Sequence, residues 1–208
     1  MGATANDPYS PHTYRDLRDL AGACADLAEA GGHRVRADVR DQEVVIRGTH
    51  ATRWRGRILA TLARRIENQD QRAVTMVGAW VEHPEHRLCR TADLLAVTGE
   101  AWAVTRGARA EQPDDHAVFA PDVSVAVEVV PPSGPGSDHV TKLRDYPRMG
   151  VPVCVVVDPR DGTVTVHSGP GTASGEPRYA GTPQRYAFGD TVPMGPWSVD
   201  TANFPRYK

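Results

Sequence analysis

Apolar positions recur along this chain with two periods, and each change of period marks an element. From Thr13 to Ala30 the residues Leu17, Leu20, Ala21, Cys24, Leu27 and Ala28 fall three and four apart. That spacing predicts an amphipathic helix, which Gly31-Gly32 closes. Arg34 to Val39 and Glu43 to Arg47 read as two short strands around Asp41-Gln42, a hairpin. A second helix is expected from Thr52 to Asn68, with Ile58, Leu59, Leu62, Ala63 and Ile66 as its buried stripe. Arg72 to Val81 and Asp93 to Val97 read as strands, and His83-Pro84-Glu85-His86 between them as a turn. Gly99 to Phe119 is expected to be an irregular or partly helical excursion, with Glu111 to Asp115 a polar loop.

The most informative pattern lies between Ala120 and Asp158. Two apolar runs, Val123 to Val130 and Val151 to Val157, flank a Pro/Gly loop and a short polar helix that carries Lys142. Two buried strands joined through a helix suit parallel neighbours of one sheet better than a hairpin. Along the first run Val123, Val125, Val127 and Val129 share one face, while Ser124, Ala126, Glu128 and Val130 share the other. Glu128 therefore sits on an otherwise apolar strand, where a carboxylate is costly to bury without a cation or metal beside it. Asp138, Lys142 and Tyr146 recur four apart on one face of the helix, and Pro147 is expected to end it at Tyr146.

Further along, Thr163 to His167 predicts a strand after the Asp161-Gly162 turn. Ser168 to Pro183, rich in Gly, Pro, Ser and Thr, reads as a surface loop. Arg178 to Ala180 and Arg185 to Phe188 suggest short edge strands, and the tail from Val199 to Lys208 has no clear pattern. The fold class expected is α/β or α+β, a central mixed sheet flanked by helices. Residues 1–12 are read as a disordered tail and 13–208 as a single domain, since 208 residues can bury one sizeable core.

Composition changes this picture little. A net charge of −2 leaves nucleic-acid binding open, because binding depends on a local basic patch rather than the total. Arg53, Arg55, Arg57, Arg64 and Arg65 form such a patch on the second helix, which suits phosphate contacts and equally suits a solvated face. Cys24, Cys89 and Cys154 are far apart and indicate neither a zinc knuckle nor a disulfide framework. No apolar run approaches the roughly 20 residues of a membrane span and the N-terminus lacks the pattern of a signal peptide, so a cytoplasmic location is expected.

Val-Glu-Val-Val at 127–130, the Pro/Ser/Gly loop, Asp138-x-x-x-Lys142-x-x-x-Tyr146, Gly150-Val-Pro and Val157-Asp-Pro together resemble the Uma2 family, of the PD-(D/E)xK nuclease superfamily. The likeness is densest over Ala120 to His167. It implies a restriction-endonuclease-like fold and hydrolysis of DNA by a metal-activated water, with Mg2+ (or Mn2+) as cofactor, DNA as partner and a homodimer as an option. By the same resemblance, Arg90-Thr91-Ala92-Asp93 corresponds to the family's Arg-Pro-Asp, which makes Asp93 the first metal-binding acid. Glu128 is then the second metal ligand and Lys142 the catalytic cation. Asp38, in the segment Asp38-Val39-Arg40-Asp41-Gln42, takes the place of a family Glu that precedes Asp-Gly, and is a possible additional acid. Pro121-Asp122 is a poor substitute for Asp93, because Asp122 and Glu128 lie six residues apart on one strand and so about 20 Å from each other. Pro131, Val153-Cys154 and Pro147 depart from the family pattern. A nuclease-fold module that binds nucleic acid or a protein without cutting is the alternative.

Overall fold

The first helix expected from the apolar period is α1, Pro11–Ala30, in a computed structural model that describes residues 11–49, 52–108, 117–173 and 175–207. Proline suits a first helical turn, where its missing N–H has no partner to lose. Of the expected tail, residues 1–10 lie outside the described residues. The expected hairpin is β1, Val35–Arg40, and β2, Glu43–Gly48, with Asp41 and Gln42 both at positive φ in its turn. Helix α2, Arg53–Gln69, starts at Thr52, whose hydroxyl accepts the Arg55 N–H at 3.2 Å, and it buries Ile58, Leu59, Leu62 and Ile66. Burying each of those side chains is worth about 1.5–3 kcal/mol.

One expected strand is in fact two. The run from Arg72 to Val81 divides into β3, Val74–Val77, and β4, Trp80–His83, because Gly78 takes a left-handed φ of 70° and turns the chain from one sheet into another. Beyond a single 3-10 turn at Pro84–His86, β5, Leu88–Thr91, and β6, Leu94–Val97, make the return journey. Strand β3 pairs with β6 and β4 with β5, so the hairpin bends as a unit. Gly78 N–H donates to the Asp93 carbonyl and Ala92 N–H to that of Ala79, which places Asp93 at the corner between the sheets.

Helix α3, Gly99–Ala108, supplies the helical part of the expected excursion, and the polar loop at 111–115 lies outside the described residues. After β7, Ala117–Phe119, the central unit follows as β8, Val125–Val129, α4, Ser137–Arg148, and β9, Val153–Asp158, with β8 and β9 parallel. Pro147 does not end α4 at Tyr146. It stands in the last turn, where a proline forfeits one backbone bond only, and Met149, Gly150 and Val151 N–H groups close the end on Asp145, Pro147 and Tyr146. Strand β10, Thr163–Ser168, is as expected. The stretch read as a loop, 168–183, contains a hairpin of β11, Pro170–Ala173, and β12, Glu176–Tyr179, where Tyr179 donates to the Val151 carbonyl at 3.0 Å. β13, Gln184–Ala187, is an edge strand, and the patternless tail is preceded and entered by a hairpin of β14, Thr191–Met194, and β15, Trp197–Asp200.

The fold is mixed α+β. A six-stranded sheet runs β13-β10-β9-β8-β6-β3 and a five-stranded one β2-β1-β5-β4-β7. One face of the larger sheet, through Val125, Val127, Val129 and Val155, packs on the α2 stripe and on Val192, Met194 and Trp197. Its other face, through Leu95, Ala126 and Cys154, meets Tyr146 of α4, Met149 just beyond it, and Val81, Leu88 and Val118 of the smaller sheet. Helix α1 covers the far face of that smaller sheet, against Ala37, Val39 and Cys89.

Candidate active site

Alternation along two strands sets the site. In β1, Ala37 and Val39 face α1, so Arg36 and Asp38 face the larger sheet. In β8, Val125, Val127 and Val129 face α2, so Glu128 faces α4 with Ala126. Leu94 lies opposite Val127 in the antiparallel β6–β8 pair, and one step further that register brings Asp93 beside Glu128. The corner of the bent hairpin thus delivers the first acid to the second.

Glu128 is fully buried and ionised. Lys142 donates to both of its oxygens, at 3.0 and 2.9 Å, and the Tyr146 hydroxyl donates to Oε1 at 2.5 Å. Burial pushes the Glu128 carboxyl up, but Lys142, Arg36 and the Tyr146 hydroxyl outweigh it and hold the group below its ordinary range. The Tyr146 hydroxyl, buried and facing that carboxylate, is pushed well up and stays protonated. Lys142 also donates to the Thr91 carbonyl at 2.6 Å and lies 3.3 Å from Asp138, the i,i+4 partner expected on α4.

Asp93 is held from three sides. Arg55 grips it with two bonds of 3.1 and 2.7 Å, and the Val129 N–H donates to Oδ2 at 2.7 Å. Arg36 contacts Asp93 Oδ1 and reaches Glu128 Oε2 at 3.8 Å, so one guanidinium spans both acids. Burial, and then the neighbouring Arg36 charge, lower Arg55 to about 10.

Asp38 stands one link away. It accepts the Thr91 N–H at 2.7 Å and pairs with Arg47 and Arg90, at 3.2 and 3.3 Å. Fully buried Arg90 continues to Asp138 and Asp145, at 2.9 and 3.5 Å. The Thr91 peptide connects the two clusters, its N–H on Asp38 and its carbonyl on Lys142. In this network five acids (Asp38, Asp93, Glu128, Asp138, Asp145) face five bases (Arg36, Arg47, Arg55, Arg90, Lys142), which sums to zero formal charge. Half-exposed Arg144 at the rim balances Asp41 as well as touching Asp145. His139 lies in the same electrostatic neighbourhood; its pKa is lowered, chiefly by burial.

Asp93, Glu128 and Lys142 are therefore together, and Asp38 adjoins them. The five arginines of α2 are not one patch. Arg55 points into the site and Arg65 pairs with Asp200 at 3.4 Å, while Arg53, Arg57 and Arg64 are exposed, Arg53 lying over the Trp54 ring at 4.2 Å. Two residues of the site escaped the sequence reading, Arg36 and Tyr146. The period of the β1 run put Arg36 on the face of Asp38, and the spacing of four put Tyr146 below Lys142, so both signals were present.

A divalent magnesium takes one or two carboxylates and keeps several waters. Asp93, at the corner before β6, and Glu128, on β8, fit that demand in kind, as carboxylate oxygen donors that the Arg36 guanidinium contacts together. Among the described residues no group of three or more His, Cys, Asp or Glu stands together as a ligand set. The guanidinium of Arg36 now lies between Asp93 and Glu128.

A family model, Uma2, described as "Putative restriction endonuclease", matches residues 26–199. A solved structure described as "a putative nuclease belonging to DUF820" from Anabaena variabilis ATCC 29413 is similar in fold, with a TM-score of 0.58 at 10% identity, covering 81% of this chain and 88% of that one. Among curated proteins nothing matches. No helix among the described residues is long and apolar enough to cross a membrane.

Proposed function

The chain belongs to the Uma2 family of restriction-endonuclease-like proteins, and from that premise we propose that it hydrolyses phosphodiester bonds of DNA with a divalent cation, Mg2+ or Mn2+, held by Asp93 and Glu128. The observation that carries this reading is the shared guanidinium. Two acids from separate segments lie near enough to be spanned by one cation, at a corner lined with further positive groups. When bound, the ion supplies Lewis-acid polarisation of the phosphate and a water of lowered pKa.

The chain's own residues divide the remaining work. Lys142 has each of its three protons engaged, two on Glu128 and one on the Thr91 carbonyl, so it positions Glu128. Tyr146 fixes the same carboxylate from the next helical turn. Arg55 and Arg36, each nearer the surface than Lys142, are the guanidiniums available to a phosphate oxygen as charge builds on it. Asp38 anchors the Thr91 peptide on which Lys142 rests.

The test is a plasmid-cleavage assay with Mg2+ or Mn2+ on wild type and Asp93→Asn. Asparagine can still accept the Val129 N–H but turns its NH2 toward the guanidiniums and removes their counter-charge, so a thermal melt accompanies the assay, and folded D93N is expected to lose cleavage by at least about a hundredfold. Undiminished cleavage in D93N rejects the assignment. A second reading, a module that binds DNA without cutting it, draws on a different observation: every oxygen of the two acids already has a donor or cation beside it. Salt-sensitive DNA binding with no metal-dependent cleavage in the wild type selects that reading.

A further inference from the structure

We propose that Arg36 is a resident cation that occupies the gap between Asp93 and Glu128, competes there with the divalent ion, and makes binding of that ion depend on a phosphodiester arriving with it. The inference rests on the reading of Asp93 and Glu128 as the metal-holding pair.

Three observations support it. Arg36 is redundant for both acids: Glu128 keeps Lys142 and Tyr146 without it, and Asp93 keeps Arg55 and the Val129 N–H. It also comes from a different layer than they do. Asp93 and Glu128 belong to the larger sheet and its corner, whereas Arg36 extends from β1 of the smaller sheet with its side chain 16% exposed, so a change of rotamer can carry the head out of the gap and leave both acids in place. Nor is Arg36 held by its own strand. Its cross-strand partner is Arg47, a like charge directly opposite, which itself turns to Asp38 and Asp138.

The charge balance supplies the coupling. With five acids against five bases the network is neutral, so a divalent ion entering alone leaves it at +2, in a region where repulsion between nearby cations is poorly screened. A phosphodiester brings −1, and Arg36 turned toward that phosphate leaves the acids to the metal.

Mn2+ titration followed by the electron paramagnetic resonance of the free aqueous ion tests this without reference to cleavage. Without DNA, Arg36→Gln is expected to bind Mn2+ at least about tenfold more tightly than wild type, and Arg36→Lys, which keeps the charge, to stay within about threefold of it. Adding a short DNA duplex is expected to raise the wild-type affinity toward that of R36Q. Thermal melts establish that the variants are folded; if R36Q is not, Arg36→Met, which retains an apolar stem and removes the charge, carries the same test. Equal Mn2+ affinity in wild type and R36Q, with binding lost in D93N, overturns the role of Arg36 and leaves the metal-holding pair standing. Absence of Mn2+ binding in wild type and R36Q alike, with and without DNA, overturns the metal-holding pair and this inference with it.

Discussion

Asp138 joins the two halves of the buried network, touching Lys142 on one side and Arg90 and Arg47 on the other. Burial pushes its carboxyl up, but Lys142, Arg90 and Arg47 together more than offset that and hold it below the ordinary carboxylate range. A folded pKa below the unfolded value, about 3.9, adds stability that is complete above about pH 5 and disappears as the pH falls through the folded pKa. Urea unfolding across pH 2 to 7 is therefore expected to show Asp138→Asn less stable than wild type near neutrality, with the difference closing in acid. A gap that stays constant across the range counts against the ion-pair origin. The Glu128–Lys142 pair is more deeply buried and less useful as a probe. Removing either partner strands a buried charge at about 3–5 kcal/mol, so lost activity there is hard to separate from lost fold. D93N removes the charge partner of Arg55 and Arg36 in the same way, so its cleavage is read beside a thermal melt that establishes the fold.

At the level of elements, the β1–β2 turn carries a local conflict. Asp41 and Gln42 both adopt left-handed backbone, at φ of 48° and 64°, as a two-residue hairpin turn with the strands' own twist requires. The resemblance to the family placed Gly at position 42, where this chain has Gln. A left-handed non-glycine residue costs about 1–2 kcal/mol, and glycine returns part of the gain through its freer unfolded chain. Gln42→Gly is accordingly expected to stabilise the protein by about 0.5 kcal/mol, read as a higher midpoint in thermal or urea unfolding. A lower midpoint would mean that the Gln42 side chain contributes more than its backbone costs. Elements whose own sequence carries the signal were legible: α1, α2, the β1–β2 hairpin and the β8–α4–β9 unit all follow from periodicity. Helix α4 outran its proline because the closing bonds come from Met149, Gly150 and Val151, beyond the helix. The β3–β4 run misled because an apolar pattern continues smoothly through a change of sheet, and only Gly78 marks the bend.

For the molecule as a whole, two sheets meet at one corner, and the candidate site lies where they meet. Arg53, Arg57 and Arg64 remain exposed and share one face of α2, opposite the face from which Arg55 turns inward to Asp93. If they hold the DNA backbone, replacing all three by Gln weakens duplex binding at every sequence and flattens its salt dependence. The loss of slope is expected to be up to about 0.9 per arginine in fluorescence anisotropy across a salt series. Stability is expected to change by less than about 0.5 kcal/mol per position, since surface substitutions seldom matter more. An unchanged slope removes these arginines from the interface.

Strand and helix periods, the acid on an apolar strand, and the Asp, Lys and Tyr spaced four apart on one helix were all set by residue order, because each depends only on neighbours a few positions away. What the folded chain alone decided is which charges share the interior. Asp93 reaches Glu128 through a strand register, and Arg36 arrives from the second sheet. Buried charge is stable only when paired, and pairing depends on distances that a linear spacing does not contain. The assignment of Lys142 to Glu128 and of Arg36 to both acids therefore belongs to the tertiary structure.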